Sequence, residues 1–310
     1  MDRVPPLVAG IELGGTKIVC ILARGPDDIQ DRVQIPTTRP DEALAAVEAV
    51  LDGWGGFEAL GIASFGPISI DRHAADYGHV TSTPKPHWAG TDVAGRLSAR
   101  YQVPTGFHTD VVGAALAEAR WGAAKGLPDI AYVTVGTGIG VGLIAGGKPV
   151  DGLTHSEFGH IRPQRMPGDD WMGICPFHGS CLEGLAAGPA IGARAGCKGE
   201  DIPADHPVWE PVAHVLGQLC HTLVLTGVPR RIVMGGGVMV GNDHLFPRVR
   251  DAMVQSLAGY IALPEIAEPA FIVPPALGGN AGPLGAIVLG EQALAERMGT
   301  AASAGAFTTP

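Results

Sequence analysis

The chain has 310 residues, 46% of them hydrophobic, enough for a well-buried core in two domains or one large α/β unit. Its formal net charge of −10 argues against a broad nucleic-acid footprint and against an anionic membrane surface, and points to a small-molecule ligand. No basic segment leading into an apolar stretch opens the chain, and no apolar run reaches the roughly 18 residues that span a bilayer, so we expect no membrane association and a cytoplasmic location.

In chain order, Leu7 to Ile11 reads as a strand, Gly14-Gly15-Thr16 as a tight turn and Ile18 to Ala23 as a returning strand, which makes a glycine-tipped hairpin. Leu44, Val47 and Leu51 stand at helical spacing, and a second helix is expected over 111–121. The hairpin pattern recurs at Ile130 to Val135, Gly136-Thr137-Gly138 and Ile139 to Ala145, so the two halves read as weak internal duplicates and the fold as two-lobed. Further helices are expected over 189–195, through Val208, Val212, Val215 and Leu219, and over 284–298. Arg231 to Met234 reads as a buried strand running into Gly235-Gly236-Gly237 with a helix soon after, and such strand ends are where α/β folds place ligands. Residues 299–310 are small and polar without periodicity, the composition of a loose tail. We place an N-terminal lobe at 1–110 and a C-terminal lobe at 111–310, with the 284–298 helix as a candidate to pack back on the first lobe.

Glycine is frequent, at 46 residues, about twice average usage, and its clusters follow apolar runs, which reads as turns that face a ligand. Five cysteines is an odd number; Cys20, Cys197 and Cys220 lie in apolar or helical contexts that suit buried thiols and a reducing compartment.

The most specific stretch runs His155-Ser-Glu157-Phe-Gly-His160 and then Cys175-Pro-Phe-His178-Gly-Ser-Cys181-Leu-Glu183. His160, Cys175, His178 and Cys181 supply the mixed nitrogen and sulfur set of a closed tetrahedral zinc site; a redox pair or buried cysteines is the alternative. A knot this compact tethers its flanks, so Glu157 and Glu183 would be held as two carboxylates around one cleft. Elsewhere, Glu12-Leu-Gly14-Gly15-Thr16-Lys17 places backbone N–H groups and a hydroxyl at a hairpin tip, equipment for phosphate oxygens, and Gly136-Thr137-Gly138 supplies a second tip. Neither is a Walker A loop or a dinucleotide fingerprint, and each alone also fits an ordinary hairpin; with the third glycine cluster they favour a nucleotide. Asp110, at a strand-to-helix junction, is either an N-cap or a carboxylate facing a cleft as general base. The tryptophans share no spacing and read mostly as packing residues; Trp88, in the polar loop Pro86-His87-Trp88 that could flank the cleft, reads as core or lid and not as a stacking site. Among histidines without metal partners at useful spacing, His108 stands out because it lies two residues before Asp110.

The order Gly10 to Lys17, Thr109-Asp110, Gly136 to Gly140, Glu157 to His160, Cys175 to Glu183 and Met234 to Val238 resembles the ROK sugar kinases over most of the chain. Within them it looks most like the bacterial zinc-containing fructokinase branch, because Cys-Pro-Phe-His-Gly-Ser-Cys-Leu-Glu-Gly stands where other branches carry a Cys-x-Cys-Gly-x2-Gly-Cys form. The resemblance implies an α/β, two-lobed actin-like ATPase (ribonuclease H-like) fold with sugar in an interlobe cleft and ATP with magnesium on the C-terminal lobe. It implies phosphorylation of a hexose at the 6-hydroxyl, most simply D-fructose, with glucose, mannose or N-acetylhexosamine as alternatives, and a homodimer. On this carry-over Asp110 is the base, while Gly66, Thr109, Glu157, His160 and Glu183 hold sugar hydroxyls, His160 serving both zinc and sugar. Glu12, Gly14, Gly15, Thr16, Lys17, Thr137, Gly138, Gly188, Pro189 and Gly235, Gly236, Gly237, Val238 and Met239 line the ATP site.

Three positions depart from the family pattern: Glu12 where Asp is common, Thr109 where Asn often precedes the base, and Gly113 where this branch often carries another Asn. Few residues precede Leu7, which disfavours a repressor with a DNA-binding domain, and Asp110 disfavours a catalytically silent sugar-binding protein.

Overall fold

Two five-stranded sheets, each built on a glycine-tipped hairpin, organise the computed structural model, which describes residues 4–299; the tail expected beyond Gly299 lies outside the described residues. The chain runs through β1 (Val8–Leu13), β2 (Lys17–Gly25), β3 (Asp28–Pro36), α1 (Pro40–Gly53), β4 (Ala59–Ser64), α2 (Ala94–Tyr101), β5 (Thr105–Thr109) and α3 (Asp110–Trp121). It continues through β6 (Ile130–Val135), β7 (Ile139–Ala145), β8 (Lys148–Pro149), α4 (Leu182–Ala186), α5 (Gly188–Ala195), α6 (Trp209–Thr226), β9 (Arg231–Gly235), α7 (Leu245–Leu257), β10 (Ile272–Val273) and α8 (Ala281–Arg297). No helix among the described residues is long and apolar enough to cross a membrane.

The sheet orders are β3-β2-β1-β4-β5 and β10-β9-β6-β7-β8. In each, a hairpin pairs antiparallel and its first strand takes a parallel neighbour, β4 beside β1 and β9 beside β6. That shared plan underlies the repeated sequence pattern. β1 and β4 read almost wholly apolar because parallel strands are covered on both faces, whereas β3 alternates and carries Asp28, Asp31 and Arg32 on the sheet edge.

Contacts divide the described residues into two units: residues 4–126 with Gly147–His155 and residues 277–299, and Leu127–Gly146 with Ser156–Ala276. The boundary expected between residues 110 and 111 is displaced, because α3 packs on α8 and β4 and so stays with the first unit. The first core includes Ile11, Leu13, Ile18, Leu60, Ile62 and Trp88, the second Val133, Val135, Val141, Leu216, Leu219 and Met253. Each fully buried aliphatic side chain of this size stabilises by about 1.5–3 kcal/mol. Cys20 and Cys220 are buried as expected, but Cys197 is exposed, since it follows the left-handed Gly196 that ends α5.

Helix α8 explains several glycines that lie inside strands and helices. Gly10 pairs with Gly61 and Gly61 with Gly106 across β1, β4 and β5. A Cβ on Gly61 would stand 1.7 Å from the Ala286 carbonyl oxygen, and one on Gly106 2.2 Å from that of Leu289. The three therefore form a trough in which the α8 backbone rests on the sheet. Gly285 similarly faces Gly113, whose carbonyl carbon would lie 2.1 Å from an added Cβ. Gly113 is thus a helix-crossing residue, which accounts for the missing asparagine side chain at that position.

Candidate functional site

In the first unit, the tip between β1 and β2 closes with the Gly14 N–H donating to the Lys17 carbonyl at 3.0 Å. Thr37 fastens it from β3's end: its N–H donates to the Thr16 carbonyl at 3.0 Å and its hydroxyl to the Gly14 carbonyl at 2.7 Å. Glu12, just before the tip, lies against α8, where a Cβ on residue 282 would stand 2.0 Å from its Oε1. Gly282 is what makes room for the extra methylene of glutamate over aspartate. Burial pushes the Glu12 carboxyl up, and Lys17 and Arg32 oppose that without cancelling it. A hard divalent cation, which prefers carboxylate oxygens, would restore its charge, so this residue fits a magnesium-ATP site.

Asp110 opens α3. The N-cap is not Asp110 but Thr109, whose hydroxyl accepts the Val112 N–H at 3.3 Å. Asp110 Oδ1 accepts the Val111 N–H at 2.8 Å. Capping by its neighbour places Asp110 in the first turn of α3. His108, buried in β5, fixes the same junction: its Nδ1 accepts the Thr109 N–H at 2.8 Å, so its Nε2 donates to Asp151, 3.1 Å from each carboxylate oxygen.

Gly66 lies in a loop between β4 and residue 68 with a cis peptide to Pro67. His155, also buried, accepts the Ile68 N–H on Nε2 at 3.0 Å and supports that loop. The sequence signalled His155 within its motif but assigned it no task.

In the second unit, three glycine segments expected at the nucleotide converge. The Gly188 N–H donates to the Gly136 carbonyl at 2.7 Å and the Val238 N–H to the Val135 carbonyl at 2.9 Å. Gly236 takes φ 91° with Val135 atoms so close that an added Cβ would stand 2.4 Å from the Val135 oxygen. Thr137, Gly138, Gly188, Pro189 and Gly235 to Met239 thus cluster at the ends of β6 and β9 and the start of α5.

The His/Cys cluster belongs to the same unit. Ligand atoms of His160, Cys175, His178 and Cys181 lie within 4.8 Å of one another. His160 Nδ1 is 3.9 Å from Cys175 Sγ and 3.7 Å from Cys181 Sγ, and His178 Nδ1 is 3.7 Å from Cys175 Sγ. Tetrahedral zinc with bonds of about 2.3 Å to sulfur and 2.0–2.1 Å to nitrogen sets N···S separations of about 3.6 Å, so the four side chains fit that ion. The knot is tight: Cys175 and Gly179 exchange backbone hydrogen bonds at 3.1 and 2.9 Å, and Cβ atoms on Gly173 or Gly184 would strike the Gly179 carbonyl. Burial pushes the Cys181 thiol up to about 11, with Cys175 and Glu183 adding to the rise. A divalent cation among these groups reverses that cost by binding thiolate.

With Nδ1 of His160 turned to the sulfurs, its Nε2 remains for a second partner. Glu157 is exposed just ahead of it. Glu183 is the second residue of α4, two after Cys181, and its Oε2 accepts the Ile139 N–H at 3.1 Å. Gly66, Thr109 and Asp110 belong to the first unit, and Glu157, His160 and Glu183 to the second.

A family model described as ROK family matches residues 8–293. The fructokinase of Pediococcus pentosaceus is 42% identical over 288 residues, covering 93% of this chain and 99% of the relative. Among solved structures, a ROK hexokinase from Thermus thermophilus superposes with a TM-score of 0.75 at 27% identity, covering 93% of this chain and 99% of that one. A ROK family glucokinase from Streptomyces griseus, solved with glucose and AMPPNP, gives 0.71 at 26% identity over 92% and 99%.

Proposed function

The chain belongs to the ROK family, and on that premise we propose that it catalyses ATP-dependent phosphorylation of a hexose at the 6-hydroxyl, converting D-fructose to D-fructose 6-phosphate. The observation that carries the sugar is the 42% identity to the Pediococcus fructokinase over 93% of this chain and 99% of that one.

In this reading Asp110 accepts the proton of the attacking hydroxyl, its Oδ1 steered by the Val111 N–H. Gly66, Thr109, Glu157, His160 and Glu183 hold the remaining hydroxyls. Backbone N–H groups at Gly14 to Lys17 and at Gly136 to Gly138 receive phosphate oxygens, and Gly188, Pro189 and Gly235 to Met239 hold the nucleotide. Magnesium arriving with ATP offsets phosphate charge, and Glu12 is the protein carboxylate that would hold it, directly or through water. His160, Cys175, His178 and Cys181 would hold zinc, which would supply order rather than bond making, since four protein ligands would leave it no open position. Family membership also supports a homodimer, which sedimentation equilibrium would weigh.

The test is a coupled ADP-release assay with magnesium-ATP against fructose, mannose, glucose and N-acetylhexosamines, with zinc determined on the same sample. Strong preference for fructose is expected. Preference for another hexose would overturn the sugar while keeping the chemistry, and no turnover by zinc-loaded protein would overturn the kinase reading.

A further inference from the structure

The segment between β4 and α2 brings a lysine to the first glycine hairpin. It is pinned on both sides of that lysine: the Thr81 N–H donates to the Pro67 carbonyl at 2.8 Å, and the Trp88 N–H to the Lys85 carbonyl at 3.3 Å. Trp88 is fully buried, its ring edge-on to Phe65 at 5.3 Å and its Nε1 donating to the Thr38 carbonyl at 2.9 Å. This anchorage carries the Lys85 ammonium to 2.5 Å from the carbonyl oxygen of Gly15, at the very tip of the hairpin.

The charges around it decide what that placement can do. Lys17 and Arg32 act on the Glu12 carboxylate. Lys85 has no carboxylate within ion-pair distance among the described residues, in a chain whose net charge is −10. An ammonium carries three donors and the Gly15 carbonyl takes one, so two remain for a ligand at the tip. Resting on the kinase reading above, we infer that Lys85 is a catalytic residue, its ammonium bonding the equatorial oxygens of the phosphoryl group in flight.

The step balances without a further reagent. The sugar oxygen forms its bond to the γ-phosphorus as its proton passes to Asp110. The bond from that phosphorus to the β,γ-bridging oxygen breaks, and ADP leaves with the electron pair. The Lys85 donors meet charge that grows on the phosphoryl oxygens, so their contribution belongs to the transition state more than to bound ATP.

Lys85→Met keeps the apolar stem and removes the donors. Expected is a fall in kcat of about 100-fold or more, with KM for ATP and for sugar each within about threefold of wild type, and recovery to within about tenfold in Lys85→Arg. Zinc content and melting temperature, measured on the same preparations, should stay at wild-type values. A kcat for Lys85→Met within about threefold of wild type overturns the inference, and so does a loss confined to KM for ATP. An equal loss in both variants with a lowered melting temperature overturns it too, since the lysine would then only hold its loop. Wild-type turnover separates the two readings: its absence sinks the kinase assignment itself, whereas turnover in wild type and Lys85→Met alike sinks only the lysine.

Discussion

The carboxylate of Glu183 accepts the backbone N–H of Ile139 at 3.1 Å, and Ile139 follows Gly138 directly in the second glycine hairpin. The Ile139 carbonyl in turn abuts Gly159, where an added Cβ would stand 2.0 Å from it. One residue of the hairpin is therefore gripped by both arms of the His/Cys knot, the turn that carries His160 and the helix that follows Cys181. Glu183→Ala should consequently raise KM for ATP as well as for sugar, each by about tenfold or more, since it removes a charged acceptor. Glu183→Gln, which keeps an amide oxygen for Ile139, should spare ATP more than sugar. An unchanged KM for ATP in Glu183→Ala would show that the grip does not reach the nucleotide.

Asp110→Asn should lower kcat by about 10²–10⁴, the span that general-base catalysis contributes. Calorimetry should still detect sugar, and zinc should remain bound, because Asn can accept the Val111 N–H as Asp110 Oδ1 does at 2.8 Å. Near-normal turnover would remove Asp110 from the role of base.

Cys175→Ala takes one of the four proposed zinc donors from a knot whose backbone Cys175 and Gly179 already close. Zinc should be lost and KM for sugar should rise by about 10–100-fold, the range seen when groups orienting metal ligands are removed. Chelation of the wild-type protein should reproduce the change, and metal loss with unaltered kinetics would uncouple zinc from sugar.

Asp169 receives Arg165 at 2.9 Å and Arg194 at 2.8 Å. Burial alone would raise its carboxyl; the two guanidiniums outweigh burial and leave it below the usual carboxylate range. A carboxyl with a depressed native pKa contributes stability that is complete above its unfolded value of about 3.9 and is lost as pH falls through the native one. Asp169→Asn should cost on the order of 2 kcal/mol at neutral pH, and its stability should fall less steeply than wild type below about pH 4. Urea titrations across that range would read the difference; parallel acid limbs would mean the arginines contribute nothing through charge.

Gly61→Ala should destabilise by about 3 kcal/mol or more, because its Cβ would meet the Ala286 carbonyl oxygen at 1.7 Å and α8 would have to lift off three strands. Gly15→Ala, with nothing within 4 Å of its added Cβ, should stay within about 0.5 kcal/mol in stability while still altering the phosphate hairpin. Thermal melts of the two variants side by side would test whether these glycines differ in task.

Both hairpins and the His/Cys knot were legible in the sequence because each is built from residues close together in the chain, and local spacing records local geometry. Helix α2 was not, since it buries only Ala94 and Leu97 and leaves too short a periodic pattern. The trough of Gly10, Gly61 and Gly106 was not legible, because its meaning depends on which strands pair. Glu118 is fully buried in α3 and accepts the N–H groups of Ala123 and Leu277, the latter from 159 residues away. Nothing near Glu118 announces that partner. The same distance hid Lys85, whose contact with Gly15 joins residues 70 apart.

Helix α8 has a consequence for the order in which a newly made chain completes itself. Leu284 and Ile287 close a cluster with Val8, Ile21, Ala23 and Ala59, yet they are made only after the whole second unit. The second unit, encoded between Leu127 and Ala276, has every segment it needs before the first unit receives its covering helix. At about 5–20 residues added per second, β1, β4 and β5 wait for seconds with their glycine floor bare. The unit started first is therefore completed after the other, and a stall before α8 is made would leave its hydrophobic sheet open to chaperones or to other nascent chains.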